Sequence, residues 1–351
     1  MKTSKSIALS KKSGLTAISP DTDFRNQTVL ITGGGDGIGA SEARFLHQMG
    51  AHIIALDIQE KKLEALKEDL GHDRITTIVF DLSQTDEQAY KTLGQTIAAA
   101  APNGKIDAYI MSAGVVKLTN GKGVSGISAH ELRTMTQINA YSHADIFREI
   151  AGNLAEDARI VVTSSPIVGR SDINTPAYAI SKGTLEAIAN NIAGELAGTN
   201  KKVIGFVPPP VQNFLRKDLK PHEPYYAHPE GPDIAELPAR LASKNLRAEF
   251  NGKVIAMAYD HLRQKDAKTP DGHSFDFMPR DKVTNGFVYD LRIRDFATTG
   301  GDSGIDFQQW GTSSSREIQG LGKTPDMKID KGLDEIYDTP AHVSQFRAPD
   351  I

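Results

Sequence analysis

From Thr28 onward the chain alternates short β-branched runs with longer amphipathic ones, and that alternation limits the fold more than any other feature. Candidate strands are Thr28 to Thr32, His52 to Asp57, Ile75 to Asp81, Ile106 to Ser112, Arg159 to Ser164, Lys202 to Val207 and Lys253 to Ala258. Each is short and apolar, as a parallel strand covered on both faces should be. Helical periodicity fills the gaps, over 38–49, 60–70, 85–99, 128–152, 176–197 and 233–243. In the run 176–197, Leu185, Ile188, Ile192 and Leu196 recur at spacings of three and four and make one apolar stripe. Strand-helix alternation of this kind predicts an α/β fold, a doubly wound parallel sheet of about seven strands. In such sheets ligands bind beyond the carboxyl ends of the strands.

The motifs fall at those ends. The first strand runs into Thr32-Gly33-Gly34-Gly35-Asp36-Gly37-Ile38-Gly39 and then a helix. Glycine lets a backbone turn tightly and approach a pyrophosphate, which then sits at the helix N-terminus. The plainer reading is a tight connection. The second strand ends at Asp57, 18 residues past Gly39. An acid there can accept from both hydroxyls of an adenosine ribose and would repel a 2′-phosphate. No Arg or Lys lies within the glycine turn, so the sequence favours NAD(H) over NADP(H). The same aspartate would also serve as a helix N-cap. Asp81-Leu82 offers an acid and an apolar side chain for an adenine, or a cap for a helix near Thr85. Ser112-Ala113-Gly114 is small enough to let a ligand approach, or to form a simple turn.

Tyr178 precedes Lys182 by four residues, so on a helix the two share a face. A neighbouring ammonium favours the phenolate and would bring a phenol of pKa about 10 towards neutral range. Upstream, an apolar strand ends in Ser164-Ser165, and a long helix carries Asn139. An isolated helical asparagine is usually a surface residue or a local hydrogen bonder. No G-x-S-x-G elbow accompanies the serines, which argues against a Ser-His-Asp hydrolase. After the sixth strand, Val207-Pro208-Pro209-Pro210-Val211 stops the ladder, because proline cannot continue it. The segment Phe214 to Pro232 is rich in Pro, His and Tyr and reads as a loop over the site.

Composition narrows the function classes. The 351 residues suffice for one long domain with appendages or for two. A formal charge of -4 argues against nucleic acid as the main partner. With no cysteine, disulfides, Cys-ligated zinc and thiol catalysis are excluded, and a cytoplasmic location fits. No apolar run approaches the roughly 20 residues of a membrane span. Residues 1–24 are polar and read as a flexible or expression-derived leader. Asp260-His261 and Asp271-Gly272-His273 lack metal-site spacing and read as surface residues, so no metal is expected.

Together these residues resemble the short-chain dehydrogenase/reductase family in its classical form, over about 25–262. The resemblance implies a Rossmann-type core and hydride transfer between a nicotinamide and a carbonyl or its alcohol. Thr32-Gly33 with Asp36, Gly37, Ile38 and Gly39 looks like the coenzyme turn, Asp57 like its NAD-selecting acid, and Asp81-Leu82 like its adenine contact. Ala113, Gly114, Pro208 and Val211 would meet the nicotinamide side, together with Tyr178 and Lys182. Asn139, Ser165, Tyr178 and Lys182 look like the catalytic tetrad, with Ser165 chosen because it lies 13 residues before the tyrosine. The resemblance implies Tyr178 as the acid-base, Lys182 lowering its pKa, Ser165 orienting the substrate oxygen, and Asn139 holding a water. Four departures stand out: Ser112 replaces the family's structural asparagine, Pro209 replaces a glycine, Asn213 replaces a threonine, and Gly183-Thr184 follows Lys182 where small alanines are usual.

Residues 263–351 lie outside the resemblance and read as a C-terminal extension lying over the core or a neighbouring subunit. The segment 214–250 would form a substrate loop and helix. The family implies a homodimer or homotetramer, and a small-molecule substrate with neither nucleic acid nor membrane as partner. A second reading is a coenzyme-binding pseudoenzyme or nucleotide sensor whose tail contacts a partner; a dehydratase or epimerase is a lesser alternative.

Overall fold

The computed structural model describes residues 23–168, 173–209, 211, 234–246, 248–259 and 289–296. The expectations for residues 1–22, for Asn213, for the loop 214–232 and for most of the extension, including both Asp/His pairs, lie outside these.

The chain runs β1 (Thr28–Thr32), α1 (Gly37–Gln48), β2 (His52–Asp57), α2 (Glu60–Leu70), β3 (Ile75–Val79), α3 (Glu87–Ala100) and β4 (Ile106–Met111). It continues with α4 (Ala129–Thr136), α5 (Ser142–Ile150), β5 (Leu154–Thr163), α6 (Pro176–Glu195), β6 (Lys202–Val207), α7 (Glu236–Leu241), β7 (Lys253–Tyr259) and β8 (Tyr289–Asp295). The sheet order is β3-β2-β1-β4-β5-β6-β7-β8. The first seven strands pair in parallel, and β8 pairs antiparallel to β7. The order reverses between β1 and β4, the switch point where loops leave in opposite directions and open a crevice.

Strand periodicity builds two cores. Side chains alternate across a pleated sheet, so Val29 and Ile31 join one face while Leu30 joins the other. Ile53 and Ala55 divide from Ile54 and Leu56 in the same way. The first face packs against Ala43 and Leu46 of α1, Leu63 and Leu66 of α2, and Leu237 and Leu241 of α7. The second packs against Tyr90 and Leu93 of α3, Ile146 and Phe147 of α5, and Leu185 and Ile192 of α6. The α6 stripe therefore faces the core of the chain itself.

Local chemistry sets several boundaries. Ser128 and Glu131 form a reciprocal capping box that starts α4. Between α4 and α5 the backbone widens into a π-helical turn, Gln137–Tyr141, inside what periodicity presents as one helix. The Asp86 side chain accepts from the Gln88 N–H and starts α3, so Asp81 is not that cap.

Two elements depart from expectation. Phe24, assigned by sequence to the leader, is fully buried in the first core, and its N–H donates to the Met49 carbonyl at 3.0 Å. The other is β8, which comes from the extension and covers the β7 edge. Beyond it Phe296 is buried in the second core against Gly205, where a Cβ would lie 3.0 Å from the ring Cε1.

Candidate active site

The glycine turn sits where β1 and β4 diverge. Gly33 takes φ +68°, and a Cβ there would lie 2.8 Å from the Ala113 Cα. A Cβ on Gly39 would collide with the Gly33 carbonyl oxygen. Both positions need glycine so that α1 can begin against the end of β1. Asp36 caps α1, its Oδ1 accepting from the Gly37 N–H at 2.7 Å. Asp57, at the end of β2, is buried. Its Oδ2 accepts from the Gly35 N–H at 3.1 Å and its Oδ1 from the Gln59 N–H at 2.9 Å. A carboxylate has further lone pairs for a ligand's hydroxyls.

The fold adds a cation that the sequence does not place here. Lys62 of α2 reaches Asp36 with its Nζ 3.3 Å from Oδ2. The turn contains no basic residue, yet tertiary packing brings one to its rim. Its cue in sequence is weak, since Lys62 is one of many helical lysines.

Asp81 and Leu82 follow β3, which ends two residues earlier than periodicity indicates. Asp81 accepts from the Ser83 N–H at 2.8 Å, and Leu82 is buried in the second core. Pro208 is partly exposed just past β6, whereas Val211 is buried in the first core.

Four side chains converge from three elements. Lys182 is buried, and its Nζ donates to the Thr163 carbonyl at 2.8 Å. That nitrogen lies 5.9 Å from the Tyr178 ring centre, and 3.4 Å from where a Cβ on Gly114 would sit. Ser165 hydrogen-bonds the Tyr178 phenol. Ser164 donates instead to the buried Glu186 carboxyl, so the two adjacent serines serve different partners. Asn139 sits in the π-helical turn, fully buried. Its Oδ1 accepts from the Val115 N–H at 2.7 Å, and its Nδ2 donates to the Val115 carbonyl at 2.8 Å and to Ser181 Oγ at 2.9 Å. It is a tertiary clamp, not the surface or locally bonded residue that an isolated helical asparagine usually is.

Burial dominates the electrostatics. It pushes the Lys182 ammonium down to about 8, against the pull of the Glu186 carboxyl. It pushes the Tyr178 phenol up, against the Ser165 hydrogen bond. The expected lowering of the Tyr178 pKa is therefore reversed in the fold, because desolvation outweighs the other influences.

Sequence reasoning missed two buried groups. Glu42 of α1 is fully buried, and burial pushes its pKa up to about 8 despite a hydrogen bond from Ser112. His143 of α5 is fully buried with Tyr109 Oη 3.1 Å from its Nδ1. Burial and then the Lys182 charge push it down to about 3, with the Ala113 backbone opposing. Both stand at helix positions that periodicity alone would fill with apolar side chains.

The short chain dehydrogenase family model matches residues 27–224. The chain is 29% identical over 234 residues to a 3-oxoacyl-acyl-carrier-protein reductase of Rickettsia bellii, covering 63% of this chain and 91% of that one. It is 28% identical over 249 residues to a levodione reductase of Leifsonia aquatica, covering 64% and 90%. A short chain dehydrogenase from Shigella flexneri, complexed with NADP, superposes with a TM-score of 0.60 at 22% identity, over 65% of this chain and 96% of that one. One from Escherichia coli, complexed with NADPH, gives 0.59 at 23% identity, over 64% and 94%. The solved structures share the doubly wound sheet, and the family match spans more than half of the chain, from the glycine turn past Lys182. The chain thus belongs to the classical short-chain dehydrogenase/reductase family of oxidoreductases.

Proposed function

We propose that the protein transfers a hydride between a nicotinamide dinucleotide and a secondary alcohol or ketone of a small or medium organic substrate, with Tyr178 as acid and base. One observation carries this reading: Tyr178, Ser165 and Lys182 meet beside the Ala113-Gly114 turn, which packs on the glycine turn. Relatives named as reductases support it.

The residues fit such a coenzyme. The N-terminus of α1, with glycines admitting no Cβ beside it, suits a pyrophosphate. Asp57 would hold the adenosine ribose, and Asp81 and Leu82 the adenine. Ala113, Gly114, Pro208 and Val211 would line the nicotinamide side, with Tyr178 and Lys182 on its ribose. When bound, the nicotinamide supplies the hydride acceptor or donor. Tyr178 Oη removes the substrate hydroxyl proton in oxidation and returns it to the carbonyl oxygen in reduction. Ser165 orients that oxygen and stabilises its developing charge. The Lys182 ammonium favours the phenolate as it forms. Asn139 holds Val115 and Ser181, and so the wall between α4 and α6.

Asp57 supports a preference for NAD(H), although Lys62 brings a cation that a 2′-phosphate would find close by. The segment 214–250 is assigned to the substrate side. Tyr141 and Ile180 are large, exposed and apolar, at 49% and 42%, which supports pairing of subunits along their helices in a homodimer or homotetramer. Among the described residues no helix is long and apolar enough to cross a membrane. A cytoplasmic site of action is proposed with the rest.

The test follows nicotinamide absorbance over a panel of secondary alcohols and ketones with NAD(H) and NADP(H), beside Tyr178→Phe. NAD(H)-linked turnover that disappears in the variant is expected. Turnover that survives in the variant removes Tyr178 from the chemistry, and failure to bind either coenzyme removes the reading itself.

A further inference from the structure

Glu42 has no evident reason to be a carboxyl. It lies on α1, fully buried, and among the described residues no ion pair reaches it. Among the described residues its Oε1 finds no hydrogen-bond partner. Ser112 Oγ donates to its Oε2 at 2.5 Å, and is itself 3.0 Å from Thr163 Oγ1. Those two hydroxyls could satisfy each other without it. Burying a carboxyl with one oxygen unpaired costs stability, and an apolar side chain of similar size would not.

Its connections lead to the active site. Ser112 begins the turn Ser112-Ala113-Gly114, which packs on Gly33 through Ala113 and on Lys182 through Gly114. Thr163 offers its carbonyl to Lys182 Nζ. One chain of side chains thus runs from Glu42 through Ser112 to Thr163, and the Thr163 main chain completes the path to Lys182. It joins α1 to the ends of β4 and β5 and to α6. Ser112 is the residue that stands in place of the family's structural asparagine, and Glu42 occupies the space behind it.

We propose that Glu42 is a positioning residue: acting through Ser112, it fixes the Ser112–Gly114 turn and the Thr163 carbonyl that holds Lys182. The inference rests on the hydride-transfer reading for its kinetic consequence, but its structural consequence is independent of it.

The test uses the full chain with Glu42→Leu, Glu42→Gln and Ser112→Ala. Two readouts are taken: kcat and KM with the best substrate, and the titration of Lys182 in coenzyme-free protein by NMR of ¹³Cε-labelled lysine. Leu should lower kcat about tenfold or more with the coenzyme KM little changed, because small misplacements near the reacting groups are costly. It should also shift the Lys182 titration by about half a unit or more. Ser112→Ala should do the same. Gln, whose amide oxygen can still accept from Ser112, should restore most of both. The melting temperature of Glu42→Leu at pH 8 should equal or exceed that of the wild type. A fall in melting temperature alongside kcat would make Glu42 merely structural and overturn the proposal. An unchanged Lys182 titration in Glu42→Leu overturns it too, whatever becomes of the hydride-transfer reading.

Discussion

The ammonium of Lys182 donates to the main-chain carbonyl of Thr163 at 2.8 Å, tying the helix of Tyr178 to the last residue of strand β5. Burial brings that lysine to about 8. A lysine is charged below its pKa, so a step that needs the ammonium should weaken as pH rises through about 8. The pH profile of kcat/KM should bend there. Lys182→Met should lose about a hundredfold or more in turnover and lack that bend. A variant with the same bend assigns it to another group.

Glu42 makes stability depend on pH. Its folded-state pKa, about 8, stands above its ordinary 4.5. Between those values the folded protein keeps a proton that the unfolded chain releases, so stability is fullest below 4.5 and falls until about 8. Urea unfolding of wild type and Glu42→Leu at pH 4.5 and pH 8.5 should show the variant gaining roughly 3–5 kcal/mol relative to wild type across that interval. A gap that stays constant would mean Glu42 ionises normally in the fold.

On the proposed reading, Asp57 and Lys62 would pull coenzyme choice in opposite directions. Asp57→Ser removes a carboxylate that would repel a 2′-phosphate. It should lower the NAD(H)/NADP(H) ratio of kcat/KM about tenfold or more. Lys62→Ala should weaken NADP(H) more than NAD(H). Equal effects on the two coenzymes would place the ribose end elsewhere.

Phe296 is a buried anchor supplied by the extension. Phe296→Ala should cost about 3–5 kcal/mol in chemical denaturation, as large aromatic truncations in a core do. Gly205→Ala would set a Cβ 2.7 Å from Val254 Cγ2 and 3.0 Å from the Phe296 ring, for about 1–3 kcal/mol. Wild-type stability in Phe296→Ala would mean that this contact contributes nothing to the fold.

The sequence by itself determined the sheet. Its apolar runs alternate with periodic helices, and glycines stand where α1 must start against β1. Hydrophobic period and backbone sterics are local properties, so Thr28–Thr32, Gly33 and the one-face spacing of Tyr178 and Lys182 were all legible. Only the tertiary structure decided what depends on packing between distant segments. It buried Phe24, carried Phe296 onto Gly205, and brought Lys62 to the glycine turn. It clamped Asn139 on Val115 and hid Glu42 behind Ser112. It also reversed the expected direction at Tyr178, because a pKa answers to desolvation, and desolvation is a property of the assembled core rather than of residue spacing.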